Sequence, residues 1–255
     1  LPGQDMLVHP HEIPGTPTFL AVDCGAADRL GDLEAAAKKA DCLINIDHHP
    51  GNENFGDVNV VVTTASSTAE LIAFLLRDLG VEFDRDIATC LYTGVFTDTG
   101  SFQYRNATPD TLRIAADLLE YDVAKTEIAQ QVFETSPFGY LKLVARVLGR
   151  AELHEGARLI HSSITHEDLR ETGVGMEETD KVIDLLRSTR DADVAAIFKE
   201  QGDGDFRVSM RSKGRISVGE IARARGGGGH ELAAGFTTSD VATTVAEICR
   251  ELEAG

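Results

Sequence analysis

Ile44-Asn45-Ile46-Asp47-His48-His49-Pro50 is the stretch on which the reading of this chain turns. An apolar run from Cys42 to Ile46 stops at a carboxylate and two imidazoles, and Pro50 keeps the strand from continuing. The run reads as a short buried strand with Asp47, His48 and His49 at its carboxyl end. In open α/β sheets ligands bind at that end of the strands. Carboxylate and imidazole together suit a divalent transition metal such as manganese or zinc.

Working outward, residues 18–22 form a second apolar strand, and it too ends in a carboxylate, Asp23. Residues 32–40 between the two strands are Ala-rich with late lysines, as a helix prefers. A β-α-β unit makes the strands parallel and puts their carboxyl ends on one edge, which brings Asp23 toward His48. Downstream, residues 58–62 are β-branched. Ser67-Thr68-Ala69-Glu70 is a capping box for a helix over 69–79 that Gly80 ends. Residues 86–96 are expected to be helical and to lead into a polar loop, Thr97 to Tyr104, that carries Asp98. Helices are expected over 109–119, with Pro109 in the first turn, and over about 124–134. Asp23, His48 and Asp98 thus each follow an apolar element, and one imidazole with two carboxylates can hold a divalent ion. Alone, Asp23 or Asp98 would be read as a helix cap; three on one expected edge favour metal.

Ser136-Pro137-Phe138-Gly139 and the helical run after it read as a hinge, which divides the chain into 1–135, a linker at 136–150, and 151–255. The expected fold is α/β: a parallel-sheet first domain and a smaller α+β second domain, with a cleft between them. In the second, strands are expected over 159–164, 194–199 and 206–211, helices over 177–189, 218–224 and 241–252, and a turn at Gly202-Asp203-Gly204. Gly226, Gly227, Gly228 and Gly229 leave backbone N–H groups open to an anion, and His230 adds a donor. Arg207, Arg211, Lys213, Arg215, Arg223 and Arg225 make this region basic against Glu220 alone. Arg211, at a strand end, could grip a phosphate with both arms of its fork, and Arg225 beside the glycines is a further candidate. His9 and His11 rank below the strand-end cluster as metal ligands. His154, His161 and His166 are read as structural, away from any carboxylate cluster.

Composition narrows the function. The 255 residues carry a formal charge of −18, with 42% hydrophobic and 26% charged residues. Such acidity argues against non-specific duplex binding, which rests on neutralising phosphates, but leaves room for a small phosphate ligand on a local basic patch. Cys24, Cys42, Cys90 and Cys249 are widely spaced and read as reduced thiols of a cytoplasmic protein. No apolar run approaches a membrane span and no signal peptide is visible. No G-x-S-x-G elbow or Walker A loop occurs.

Ala21-Val22-Asp23, Asp47-His48-His49, Thr97-Asp98-Thr99-Gly100-Ser101-Phe102 and Gly226–His230 with Ala233-Ala234-Gly235 stand in an order that resembles the DHH phosphoesterase superfamily with its DHH-associated C-terminal domain. The compact two-domain length most resembles the nanoRNase/oligoribonuclease (NrnA-like) branch. Those enzymes act on very short oligonucleotides, on adenosine 3′,5′-bisphosphate and, in some members, on cyclic or linear dinucleotides. The resemblance implies two manganese ions, with Asp23 bridging them and His48 and Asp98 completing the second ion's shell. It implies His49 facing the substrate phosphate, Asp47 orienting its neighbours, and attack by a metal-bound hydroxide. Arg211 and Gly227, Gly228, Gly229 and His230 would hold the far end of the nucleotide, favouring short RNA or DNA; a homodimer is also within its implications. The family's first motif, His-x-Asn-Pro-Asp-x-Asp, does not occur, and truncation is the expected reason; the enzyme reading is therefore for the full-length protein. Two alternatives stand beside it, a RecJ-type single-strand exonuclease and a nucleotide-binding module that has lost catalysis. A family II inorganic pyrophosphatase shares the triplet but lacks the glycine-histidine signature.

Overall fold

In the computed structural model, which describes residues 1–13 and 15–254, the chain forms two compact units, Leu1–Val132 and Phe133–Gly255. Pro14 and Gly255 lie outside the described residues.

The first unit carries a three-stranded sheet of β1 (Thr18–Val22), β2 (Cys42–Asp47) and β3 (Val58–Val61), parallel and in that order. The helix expected over 32–40 is shorter. A 3-10 segment, Ala27–Leu33, precedes a single turn, α1 (Glu34–Ala37), with Gly31 at φ 55 breaking the run. Asparagine stands inside β2 because Asn45 is buried with a partner, donating to the Cys24 carbonyl at 3.1 Å. Four helices follow: α2 (Thr68–Asp78), α3 (Arg85–Asp98), α4 (Pro109–Leu119) and α5 (Lys125–Phe133). Their apolar faces close a core that includes Ala73, Phe83, Leu91, Val95, Ile114 and Leu118. The cap of α2 differs from a simple capping box. Ser67 accepts from the Glu70 N–H at 3.1 Å, but the Glu70 carboxylate turns to Ser66 and Thr111.

The second unit begins with α6 (Phe138–Gly149), the helix expected within the linker, which places Tyr140, Leu143 and Val147 in this unit's core. Its sheet has six strands in the order β4 (Glu152–His154), β5 (Leu159–Ile164), β6 (Val194–Glu200), β7 (Phe206–Ser212), β9 (Ala233–Thr238) and β8 (Gly228–His230). Only β5 and β6 run parallel. Between strands lie α7 (His166–Thr172), α8 (Val182–Arg187) and α9 (Val218–Arg223), and α10 (Val241–Ala254) ends the chain. β6 is buried on both faces: Ala196 and Phe198 meet residues of α9 and α10, while Ala195 and Ile197 meet those of α6 and α8. The helix expected over 177–189 is interrupted, a 3-10 turn at Met176–Thr179 preceding α8. Among the described residues no helix is long and apolar enough to cross a membrane.

Candidate active site

Parallel pairing does what the β-α-β pattern requires. Val22 is in register with Ile46, and the Asp23 N–H donates to the Ile46 carbonyl at 2.9 Å, so Asp23 and the Asp47-His48-His49 turn leave the sheet side by side. Asp23 sits at φ 59, a left-handed conformation that aspartate tolerates better than most residues. The Thr68 hydroxyl, in the first turn of α2, donates to Asp23 Oδ1 at 2.7 Å and fixes the carboxylate. Asp98 is not in a loop, as its polar surroundings suggested, but is the last residue of α3. Beyond it the chain reverses through three left-handed residues, Gly100, Ser101 and Phe102. Glycine suits the first of these, where φ is 54 and a Cβ would displace the Tyr104 ring. Asn106 donates to the carbonyls of both Ser66 and Asp98, joining this reversal to the start of α2.

His48 Nε2 lies 3.7 Å from Asp23 Oδ1 and 3.6 Å from Asp98 Oδ2. Its other nitrogen, Nδ1, lies 3.3 Å from the Ala65 carbonyl oxygen, which can only accept, so Nδ1 carries the hydrogen. In the neutral ring Nε2 then turns a lone pair on two carboxylates. Such a triangle is satisfied by a positive species between its corners, a proton or a metal ion. A histidine whose second nitrogen donates to a backbone carbonyl is the usual form of a metal ligand. Asp98 is pushed above the usual carboxylate range by burial and by the charge of Asp23, partly offset by His48 and His49. The donor set, its convergence and this mutual repulsion all fit a divalent transition ion.

His49 approaches the same oxygen of Asp23, with Nδ1 3.8 Å from Oδ1 and its ring 4.6 Å from that of His48, so Asp23, His48 and His49 present ligand atoms within 4.8 Å of one another. His49 Nδ1 also lies 2.7 Å from Asp47 Oδ1. Asp47 is fully buried. Burial pushes its carboxyl up, but hydrogen bonds from His49 and Asn52 outweigh it and hold the group below its ordinary value. Asn52 escaped the sequence reading. Its amide reaches Asp47 Oδ2 at 2.6 Å, Asn45 Oδ1 at 2.9 Å and the Cys24 carbonyl at 3.2 Å, tying the turn to the strand that bears it.

In the second unit the glycine segment is not an open loop. Gly228–His230 is strand β8, paired antiparallel with β9. A Cβ on Gly229 would lie 2.6 Å from the Ala233 carbonyl, and one on Gly227 would overlap Gly235 and Phe236. Close backbone approach therefore accounts for these two glycines, while Gly228 has open space. Arg211 and His230 are both in register with Ala233, on either side of β9, so they share a sheet face about 10 Å apart. One arm of the Arg211 guanidinium donates to the Met210 carbonyl at 3.0 Å. Arg225 is corrected: it pairs with Glu251 at 2.6 Å, packs on the Phe236 ring and belongs to the core side. His154 and His161 are corrected as well. They stand together with Glu152 rather than away from carboxylates.

The chain matches the family described as "DHH family, N-terminal domain" over residues 6–95 and the "DHHA1 domain" over residues 156–254. The bifunctional oligoribonuclease and PAP phosphatase NrnA of Thermus thermophilus is 34% identical over 238 residues, covering 93% of this chain and 70% of that protein. Its namesake in Bacillus subtilis is 33% identical over 197 residues, covering 76% of this chain and 61% of that protein. An exopolyphosphatase-related protein from Bacteroides fragilis shares the fold, with a TM-score of 0.88 at 23% identity over 93% of this chain and 72% of the other. Identity of 34% sustained over so much of the sequence, with the two domains matched in order, is more than a common fold would produce: this chain belongs to the DHH family, in its NrnA-like branch, with a DHHA1 domain.

Proposed function

We propose that the whole protein is a manganese-dependent phosphoesterase that hydrolyses very short oligonucleotides and adenosine 3′,5′-bisphosphate. The observation that carries this is His48 Nε2 turned on Asp23 and Asp98 while Nδ1 is tied to the Ala65 carbonyl. The names of its relatives, oligoribonuclease and PAP phosphatase, support the substrate class.

In this reading Asp23, His48 and Asp98 hold the metal. When bound it lowers the pKa of water and neutralises charge developing on the phosphoryl oxygens. The protein's own contribution is orientation. Thr68 fixes the Asp23 carboxylate, Ala65 fixes the His48 ring, and buried Asp47 fixes the ring of His49 through Nδ1. In this reading His49, held by Asp47 at the end of β2, faces the substrate phosphate. Arg211 and His230, in one cross-strand row with Ala233 between them, take the nucleotide end, with Gly227, Gly228 and Gly229 bringing the backbone of the edge strand close. A cytoplasmic location belongs to the same reading, supported by four free cysteines.

The test is a substrate panel on the full-length protein with manganese: dinucleotides, longer single strands and adenosine 3′,5′-bisphosphate. Rates should fall as the strand grows beyond a few nucleotides, and His48→Ala should abolish hydrolysis while leaving the circular-dichroism melt in place. Equal rates on long single strands would replace this reading with a RecJ-type exonuclease. Tight nucleotide binding without turnover would replace it with a binding module.

A further inference from the structure

We propose that Glu152, His154 and His161 form a zinc site on the β4–β5 hairpin, separate from the strand-end cluster of the first unit. β4 and β5 pair antiparallel, with Glu152 directly opposite His161 and His154 two residues beyond Glu152. Alternation along a strand puts all three side chains on one face. One ligand atom from each lies within 4.8 Å of the others.

The spacing of the two imidazoles is informative. His154 Nε2 and His161 Nδ1 are 3.2 Å apart, with the rings stacked at 5.1 Å between centroids. Two nitrogens bound at zinc's usual bond length in a tetrahedral shell stand about 3.3 Å apart. The nitrogens therefore already define one edge of such a shell. An N–H···N hydrogen bond would account for the pair alone, but not for a carboxylate converging on the same point. His161 is braced by the edge of the buried Phe198 ring, at 5.9 Å, whereas Glu152 is exposed and can swing to close the site. Two imidazoles with one carboxylate select a borderline transition ion over magnesium or calcium, which take oxygen donors.

The position separates this site from the candidate substrate residues. Glu152 and His161 continue across the sheet in register with Ala196, Met210 and Ala234, the row packed under α9 and α10. Arg211 and His230 occupy the neighbouring row and so face the other way, and β8 lies at the opposite edge of the sheet from β4. A role at the substrate is thereby disfavoured. The ion would act as a clip, tying a three-residue edge strand to its neighbour.

The experiment is zinc titration by calorimetry on chelator-treated protein carrying Asp23→Asn and His48→Asn, which silence the first cluster. One zinc per chain should bind, and the melting temperature should rise with it. Glu152→Gln, on an exposed side chain that cannot disturb packing, should weaken binding by about tenfold or more, and His154→Asn should remove it. No zinc uptake in the double variant, or uptake unchanged by both Glu152→Gln and His154→Asn, would overturn the proposal.

Discussion

At the scale of single residues, the site is governed by second partners as much as by the groups that converge. Asp47 is buried and keeps its charge through donors from His49 and Asn52. Asn52→Ala deletes one of those donors and strands part of a buried carboxylate, a loss of about 1–3 kcal/mol. It should also raise the Asp47 pKa. Because this group is held low, its charged form is complete above the ordinary carboxylate range and is lost only as pH falls. With the donor gone that loss begins at higher pH, so the acid limb of the pH–rate profile should move upward. An unmoved limb would show that turnover does not need the Asp47 charge. The converging residues were legible in the sequence, because Asp23 and His48 interrupt apolar runs where a buried strand would continue. Asn45 was passed over as part of an apolar run, although an amide there signals a buried partner. Asn52, Thr68 and Ala65 left no pattern: Asn52 acts through an amide shared by Asp47, Asn45 and the Cys24 carbonyl, Thr68 through a hydroxyl bond to a residue distant in the chain, and Ala65 through its backbone carbonyl.

At the scale of elements, strong patterns survived and local side-chain bonding altered the rest. β5, β6 and β7 appeared with boundaries within one residue of expectation, since apolar residues buried on one or both faces leave little choice of register. β8 was hidden because glycine has low strand propensity; only its close packing against β9 reveals why glycine is needed. The interruption before α8 arises from side chains that compete for the backbone, with Glu178 accepting from the Gly175 N–H and Thr179 bonding to the Met176 carbonyl. Asp168 shows the same competition turned to stability. Burial alone would raise its pKa, but a two-armed bond from Arg150, at 2.7 and 2.5 Å, and donors from Thr165 hold it at about 2. A depressed carboxylate stabilises the fold above its unfolded pKa and loses that contribution as pH falls through the folded value. The contribution is about 2 kcal/mol, lost between about pH 4 and pH 2. Asp168→Asn should lower stability at neutral pH by that order and flatten the pH dependence in that window, as chemical denaturation at several pH values would register. Arg211→Ala tests the cross-strand row: KM for dinucleotides should rise about tenfold or more with kcat little changed. An unchanged KM would remove Arg211 from the substrate.

At the scale of the molecule, the two units and their order were legible, as was the division between a parallel sheet and a mixed one. The pairing of edge to edge was not, because neither β4 nor β8 exceeds three residues. The sheet of the first unit carries a further consequence. On one of its faces Leu20 and Val22, 52% and 43% exposed, align through Ile44 and Ile46 with exposed Val58 and Val60. An exposed apolar sheet surface is a template for self-association. The charge of −18 opposes it by keeping copies of the chain apart. Acidification into the carboxylate range should therefore make solutions turbid while much of the secondary structure persists, and Leu20→Lys should delay that onset in a light-scattering titration. Acidity that bears on nucleic-acid affinity thus serves a second end, as a colloidal safeguard for a sticky face.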